Sequence, residues 1–393
     1  MIAPLPGEML VFCAAAGTAQ LLFTLRFFLR FRSPSVPSAG RPPFSVSVVV
    51  PCKGTTDELD ANVRSLLEQD YPGEIEYIFV VPSRGDAAFG RLESLLAKPG
   101  AVKARLIVSE AVPVRCSEKI LNLLCGCRHV RESSEILLFA DSDLNFPPGW
   151  AAGMVRPLLD PRVAVSTAHA LPAPVGLPGE VMWLWTAAGI VYLDSLGVIS
   201  GNSMAISKKD FIGLEVERAW SSSLCEDLTL SRLVKRAGRK ICFPAAAIPA
   251  VSAPGDLGRV FSVSNKWMVY FRFYAGLIWL SGAALTGFKY YALWWSLSCG
   301  TFAPLLFLLA ADFLNLTFLS RIFEPYGNRY PGNRAGGPAG GFLNAVLRRF
   351  ACVAVLQLVY AANFTTSALR REVDWGGYRY RLYPTGLVEV ISG

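Results

Sequence analysis

The hydrophobic residues of this chain follow one pattern at its two ends and another in its middle. Residues 9–25 form an apolar stretch near the N-terminus, and several more apolar stretches follow residue 267. Between them, short β-branched runs alternate with longer segments in which apolar residues recur at helical spacing. This alternation predicts a mostly parallel sheet covered by helices. We therefore predict an α/β domain joined to helical membrane segments.

The middle region contains apolar runs of the length that strands require. Strands are predicted at residues 46–50, 77–81, 104–108 and 136–140, and a helix at residues 59–69. Parallel strands place their carboxyl ends at one edge of the sheet, and open α/β sheets bind ligands beyond that edge. Residues that directly follow these strands are therefore the first candidates for chemistry.

The N-terminal apolar stretch predicts a membrane anchor. Residues 9–25 are interrupted only by Gly, Thr and Gln, and Arg26, Arg30 and Arg32 follow them. Basic residues after the apolar core place the N-terminus outside and the following domain inside. A cleaved signal peptide is the alternative, but it would carry its positive charge before the core. Residues 33–43, rich in Pro, Ser and Gly, are predicted to be a linker.

The C-terminal apolar segments are residues 273–288, 291–311 and 350–368, with a Gly/Pro/Asn-rich loop at residues 325–341. Three spans after a cytoplasmic domain would leave the basic tail outside, against the positive-inside rule. We therefore expect residues 273–288 to lie in the membrane interface or to re-enter it. We also expect the spans to lack buried charge pairs, which argues against a transporter.

Composition agrees with a soluble domain joined to membrane segments. Of the 393 residues, 52% are hydrophobic and 17% charged, with a mean hydropathy of +0.38. The basic residues behind the net charge of +8 lie largely beside apolar runs, where they face anionic headgroups. A basic face with interleaved aromatic residues is missing, so nucleic acid is not a predicted partner. The nine cysteines lack C-x-x-C spacing, which predicts reduced thiols and a cytoplasmic domain.

Two polar motifs lie near the predicted ligand edge. Asp141 and Asp143 follow the fourth predicted strand, and carboxylates placed there bind a divalent cation and the diphosphate it carries. A solvated turn is the alternative. Lys119 and Asn122 share one face of a predicted helix, so that a cation and an amide donor point together at phosphate or ribose. A surface lysine is the alternative there.

Short motifs follow one another in a fixed order through the middle region. They are P-C-K-G at 51–54, K-I-L-N-L at 119–123, D-S-D at 141–143, H-A-L-P at 169–172, C-E-D at 225–227 and N-K-W at 265–267. This order resembles glycosyltransferase family 2 and, more narrowly, its ceramide glucosyltransferase branch. The resemblance covers residues 46–267, with a weaker echo in the W-G-G-Y of residues 375–378.

The resemblance implies a GT-A domain that moves a hexose, glucose by preference, from a UDP-sugar to a lipid hydroxyl, ceramide above all, with inversion. It implies that Asp227 is the general base, beside Glu226, and that Mn²⁺ or Mg²⁺ is held by Asp143 and Asp141. The remaining implied contacts to substrate are Lys53, Asp86, Lys119, Asn122, Asp141, His169, Lys266 and Trp267. Of these, His169 belongs near the sugar or the acceptor.

The chain departs from the family pattern at three positions. Ser83 replaces the first acidic residue of the uracil-contacting loop, which leaves Asp86 as its carboxylate. Val263 and Lys266 stand where the family has a polar residue and an arginine, and a lysine lacks the bidentate guanidinium fork. Diacylglycerol, a hopanoid or polyprenyl phosphate as acceptor, a polysaccharide synthase, and a catalytically silent sugar-nucleotide-binding scaffold are the alternatives.

The predicted organisation has five parts. They are an anchor at residues 1–32, the linker at 33–43, the catalytic domain at 44–267, interfacial and transmembrane helices at 268–369 and a cytoplasmic tail at 370–393. We expect an integral membrane protein whose catalytic domain faces the cytoplasm, in a bacterial inner membrane or, in a eukaryote, the Golgi or ER.

Overall fold

The computed structural model describes residues 5–32, 44–97, 103–327, 342–384 and 386–393. The linker predicted at residues 33–43 and most of the loop predicted at residues 325–341 lie outside the described residues. The predicted fold class is confirmed: a mixed, mostly parallel sheet carries helices and is joined to long apolar helices.

The strands and helices alternate through the middle of the chain. The strands are β1 (Val46–Pro51), β2 (Ile75–Val81), β3 (Ala104–Val108), β4 (Ile136–Ala140), β5 (Leu144–Asn145), β6 (Val163–Thr167), β7 (Leu171–Pro172), β8 (Ser203–Ser207), β9 (Lys240–Cys242), β10 (Ala250–Val251), β11 (Glu372–Trp375), β12 (Tyr378–Leu382) and β13 (Val388–Ser392). The helices are α1 (Pro6–Arg32), α2 (Leu59–Leu67), α3 (Ala87–Leu96), α4 (Glu118–Arg128), α5 (Trp150–Val155), α6 (Gly176–Ser195), α7 (Lys208–Gly213), α8 (Val216–Trp220), α9 (Glu226–Arg236), α10 (Leu257–Tyr274), α11 (Gly276–Cys299), α12 (Ala303–Gly327) and α13 (Phe342–Leu369).

The central sheet has the strand order β3-β2-β1-β4-β8-β6-β9. Strands β3, β2, β1 and β4 are parallel, whereas β8 runs antiparallel to both β4 and β6. Every residue of β1 and β4 is buried, as expected of strands covered on both faces. Parallel pairing brings the ends of β1 and β4 to one edge, so Lys53 and Asp141 lie at the same side of the sheet.

The C-terminal residues form a separate antiparallel sheet of β11, β12 and β13. The turn between β11 and β12 consists of Gly376 and Gly377, whose φ angles are +61° and +85°. A two-residue hairpin turn of this hand needs positive φ at both positions, which glycine adopts without strain. The sheet contacts the catalytic domain, because the backbone N–H of Glu118 donates to the Tyr380 hydroxyl at 3.3 Å.

Among the described residues, three stretches are long and apolar enough to cross a membrane: Pro6–Leu29, Ala303–Tyr326 and Val346–Leu369. Helices α1 and α12 run side by side in the same direction, because contacts advance along both helices together. The Thr24 hydroxyl donates to Asn315 Oδ1 at 2.6 Å, and the ring centre of Phe27 lies 5.7 Å from that of Phe323. This packing joins the N-terminal helix to a helix that follows the catalytic domain in the chain.

The apolar run predicted at residues 291–311 is two helices. Helix α11 ends at Cys299, and Gly300 takes the left-handed conformation (φ +65°) before α12 begins at Ala303. Near its end, α11 packs against the start of α1, with Trp295 and Met9 in one cluster. The number of spans and the interfacial position of residues 273–288 stay predictions.

The expectation that the apolar helices lack buried charge pairs is wrong. Lys289 Nζ in α11 lies 2.7 Å from Asp312 Oδ2 in α12, and Asp312 is 2% exposed. The side-chain amide of Gln357 in α13 donates to the same carboxylate oxygen at 3.2 Å. The pair therefore links three helices, which is how charged groups in membrane segments are usually compensated.

Candidate functional site

The D-x-D pair lies where β4 meets the segment before β8. The register pairs Ala140 with Ser203, so Asp141 faces Asn202. The Asp141 N–H donates to the Asn202 carbonyl at 3.1 Å, and the Asn202 side-chain amide donates to Asp141 Oδ2 at 3.4 Å. The sheet therefore holds the Asp141 carboxylate on both its backbone and its side chain.

Lys119 joins the two acidic motifs. It lies in the first turn of α4, and its Nζ is 2.6 Å from Asp141 Oδ1 and 2.7 Å from Glu226 Oε1. Burial disfavours the ammonium, but the two carboxylates outweigh it and raise the pKa of Lys119. Three motifs far apart in the sequence thus meet at one cation.

The second acidic motif begins α9. Glu226 is 3% exposed, and burial raises the pKa of its carboxyl. Asp227 Oδ2 accepts the Gly201 N–H at 2.6 Å, while its Oδ1 accepts the Leu228 N–H at 2.6 Å and the Cys225 thiol at 2.9 Å. Donors from two chain segments therefore orient the Asp227 carboxylate.

Gly201 is needed for this arrangement. A Cβ added at Gly201 would lie 2.5 Å from Glu226 Oε1 and 3.2 Å from Asp227 Oδ2. Any side chain would displace the Glu226 carboxylate and crowd that of Asp227. The sequence motifs did not indicate that Gly201 contacts Asp227 or that Asn202 contacts Asp141, because those contacts depend on strand order. They also gave no role to Cys225 as the thiol donor to Asp227.

Asp143 has the donor chemistry for a divalent cation. Partial loss of solvation and the negative charge of the neighbouring Asp141 raise the pKa of Asp143 to about 6, although its side chain still reaches solvent. A cation would offset the repulsion between the two carboxylates. No cluster of three or more His, Cys, Asp or Glu suited to a metal occurs among the described residues. Mg²⁺ and similar ions are commonly held by one or two carboxylates plus substrate phosphates, so the pair fits such an ion.

Two further lysines flank the acidic residues. Lys53 Nζ contacts Glu118 Oε2 and donates to the Gly376 carbonyl. Lys266 Nζ, in α10, lies 5.2 Å from the centre of the Trp375 ring. Burial, followed by the charge of Lys119, lowers the pKa of Lys266.

The residues beside Lys266 pack into an apolar cluster. The Trp267 ring lies 5.3 Å from that of Trp185, and Val263 packs against the same cluster of buried residues. The apolar surroundings explain why a valine fits where the family has a polar residue.

Two of the predicted site residues make their contacts away from the carboxylates that surround Lys119. Asn122 is 2% exposed, and its Oδ1 accepts the Ser109 hydroxyl at 2.6 Å beyond the end of β3. Asp86 caps α3, where its Oδ1 accepts the N–H groups of Ala88 at 2.9 Å and Gly54 at 2.8 Å. Asp86 therefore ties the turn after β1 to the start of α3, and its contact with uracil stays a prediction.

His169 lies between β6 and β7, close along the chain to the residues that meet Asn202. It is 6% exposed, and its ring is 5.4 Å from that of Phe243. Among the described residues, its Nε2 has no hydrogen-bond partner. Burial lowers the pKa of His169 to about 4, so the imidazole is neutral at physiological pH. The next residue, Ala170, donates its N–H to Asn202 Oδ1 at 3.4 Å.

Comparisons with known proteins bear on this site. The family model described as Glycosyl transferase family 21 matches residues 9–388. No curated protein matches the chain in sequence. The solved mannosyltransferase PcManGT from Pyrobaculum calidifontis, in complex with GDP-Man and Mn²⁺, is 16% identical, with 93% of this chain and 99% of that chain covered and a TM-score of 0.54. Glucosyl-3-phosphoglycerate synthase from Mycobacterium tuberculosis, in complex with Mn²⁺, UDP-Glc and phosphoglyceric acid, is 20% identical, with 62% and 88% covered and a TM-score of 0.42. The first likeness confirms the GT-A fold.

Proposed function

Because the chain belongs to glycosyl transferase family 21, we propose that it transfers a hexose from a UDP-sugar to the hydroxyl of a membrane lipid, with inversion. Family 21 is the ceramide glucosyltransferase family, and the H-A-L-P motif at residues 169–172 supports ceramide and glucose as the preferred pair. The observation that carries the proposal is the bridge by Lys119 between Asp141 and Glu226.

The bridge supports a single displacement. Such a reaction needs a base on one side of the anomeric carbon and stabilisation of the leaving diphosphate on the other. The Asp141 and Asp143 pair supplies the leaving-group side, and the Glu226 and Asp227 pair supplies the base side. Lys119 fixes the two sides relative to each other, because its ammonium contacts one carboxylate of each.

Asp227 is the proposed base. The N–H of Gly201 and that of Leu228 orient its carboxylate, each at 2.6 Å. As the acceptor oxygen bonds to the anomeric carbon, Asp227 takes the hydroxyl proton, and the bond to the diphosphate oxygen breaks with its electron pair on that oxygen. Lys266 faces the departing negative charge, and its ammonium lies against the Trp375 ring and forms no salt bridge with a carboxylate among the described residues.

Mn²⁺ or Mg²⁺ fits the carboxylates of Asp143 and Asp141. When bound, such an ion supplies positive charge that offsets the charge developing on the diphosphate. PcManGT, which shares the fold, was solved with GDP-Man and Mn²⁺, and this supports a nucleotide sugar and a divalent metal here.

An apolar wall supports a lipid acceptor. Helix α6 (Gly176–Ser195) is apolar and mostly buried. The ring centre of its Trp185 lies 5.3 Å from that of Trp267 and 6.3 Å from that of Tyr360 in α13. Trp267 follows Lys266 in the sequence, so aromatic rings connect the long helices to the polar site. A lipid lying in the membrane interface would present its hydroxyl beside this wall. Diacylglycerol, a hopanoid and polyprenyl phosphate have the same amphipathic form.

The proposal is tested by sugar transfer with the full-length protein purified in detergent. UDP-glucose, UDP-galactose or GDP-mannose is supplied with Mn²⁺, Mg²⁺ or EDTA, and with ceramide, diacylglycerol or polyprenyl phosphate, and lipids are read by mass spectrometry. We expect a hexosylceramide that disappears with EDTA and with Asp227→Asn, an isosteric change. Full activity of Asp227→Asn would refute its role as base. UDP binding without transfer to any lipid would favour the silent scaffold, which Ser83, Val263 and Lys266 motivate.

A further inference from the structure

The W-G-G-Y segment of the tail touches the candidate site at two lysines. The Gly376 carbonyl accepts from Lys53 Nζ, and the Tyr378 ring centre lies 5.2 Å from the same ammonium. The Trp375 ring centre lies 5.2 Å from Lys266 Nζ. Residues 375–378, which are the two glycines of the turn and the residue on each side of them, therefore contact a lysine that follows β1 and a lysine of α10.

The hairpin is anchored to the helices that carry the site. Tyr380 is 1% exposed, and its hydroxyl accepts the N–H of Glu118, the residue before Lys119. The Trp375 ring also lies 6.2 Å from that of Tyr270, one helical turn after Lys266 in α10. The position of the hairpin is thus set by α4 and α10, which deliver Lys119 and Lys266.

We propose that this hairpin completes the binding site for the diphosphate of the sugar nucleotide, with Trp375 and Tyr378 as positioning residues for Lys266 and Lys53. The inference rests on the proposed function and deepens it. An aromatic face attracts an ammonium without neutralising its charge, unlike a carboxylate. Lys266 is therefore held in place while its charge stays available to an anion.

The hairpin compensates for the missing arginine. Arginine binds phosphate through a rigid bidentate fork, whereas lysine carries a point charge on a flexible stem. The ring of Trp375 restricts that stem at the position where the family has an arginine. This gives the tail a role in donor binding that its distance along the sequence from the other motifs conceals.

The experiment compares Trp375→Leu with Trp375→Phe and with Tyr383→Leu in the full-length protein. Tyr383 lies just after β12, is 37% exposed and bonds to Glu389, so it is a matched aromatic of the same sheet. We measure KM for UDP-glucose, KM for the lipid, kcat, and UDP affinity by calorimetry. Thermal unfolding checks that each variant is folded.

We expect Trp375→Leu to raise KM for the donor and the dissociation constant of UDP by ~2-fold to 30-fold, the range of a cation–π contact. KM for the lipid should stay unchanged, Trp375→Phe should restore most of the loss, and Tyr383→Leu should match the wild type. In a Lys266→Met background, Trp375→Leu should add nothing. Equal donor affinity of Trp375→Leu and wild type, or an undiminished effect in the Lys266→Met background, overturns the inference. UDP affinity is measured without transfer, so failure of the proposed reaction is distinguished from failure of the hairpin's role.

Discussion

Replacing Lys119 by methionine removes the charge at the centre of the site while keeping its length. In the wild type the ammonium lies 2.7 Å from Glu226, which is 3% exposed, and 2.6 Å from Asp141. Removing one partner of a buried ion pair leaves the other charge uncompensated and costs about 3–5 kcal/mol. Asp141 keeps some access to solvent, so the loss falls mainly on Glu226, and we expect about 3 kcal/mol at pH 7.5.

The loss of stability caused by Lys119→Met should become smaller as the pH falls. The pKa of Glu226 is already raised in the folded protein, so the folded state binds a proton more readily than the unfolded chain and gains stability as the pH falls. Without Lys119 that pKa rises further, because the ammonium is the group that favours the carboxylate. The difference in unfolding free energy between variant and wild type should therefore shrink between pH 7.5 and pH 5.5.

Thermal unfolding of the purified protein at the two pH values measures this. A loss of 3 kcal/mol corresponds to a fall in Tm of about 6–12 °C for a domain of this size. Adding Glu226→Gln to Lys119→Met replaces the stranded carboxylate with a neutral amide and should recover most of the Tm. Equal Tm losses at both pH values, with no recovery in the double variant, would show that Glu226 is not the group that Lys119 compensates.

Three further predictions concern other buried contacts. Gly201→Ala should lower kcat by tenfold or more, since its Cβ would displace the Glu226 carboxylate and crowd that of Asp227, whereas Gly213→Ala, with open space around its Cβ, should keep the wild-type kcat. Equal losses of kcat in the two variants would refute this role of Gly201. Between pH 7.5 and pH 5 the unfolded chain takes up a proton on His169, whereas the folded protein, in which the pKa of His169 is about 4, does not; His169 should therefore lower the stability of the wild type by ~2 kcal/mol over this range. His169→Phe, compared by chemical denaturation, should lack this component, and an unchanged pH dependence would contradict it. Lys289→Met should cost about 3–5 kcal/mol in thermal unfolding, and Asp312→Leu added to it should recover most of that loss; a double variant no better than the single one would count against the pair.

The strands could be predicted because a buried strand is a short apolar segment of sequence, and the polar residues that follow it show where it ends. Residues 104–108 and 136–140 are strands with the predicted bounds, since each is a mainly apolar segment followed directly by a polar residue. The break at Gly300 was missed because the apolar run continues across it, and hydropathy does not report a change of φ. Lys289 looked like a boundary between apolar segments for a related reason: its partner Asp312 lies on the next helix, and pairing between helices leaves no local pattern.

The site was predictable as a set of motifs and less so as a set of contacts. Helical spacing places Lys119 and Asn122 on one face, yet Lys119 reaches Asp141 and Asn122 reaches Ser109. Spacing gives the direction of the Cβ atoms, whereas the partner of each side chain depends on which strand end lies opposite. Strand order is a property of the whole sheet, so no window of sequence contains it.

The lysines of the site differ in the groups that they contact, and this difference predicts different roles for them. Lys119 contacts two carboxylates and Lys53 contacts one carboxylate and a carbonyl, while Lys266 lies against an aromatic ring. An incoming diphosphate must compete with two formal negative charges for Lys119 but with a ring quadrupole for Lys266, and Coulomb attraction to carboxylates at contact distance is the stronger hold. Under the proposed function, we therefore expect Lys266 to be the first of these ammonium groups to bind the donor diphosphate, while Lys119 keeps Asp141 and Glu226 in place.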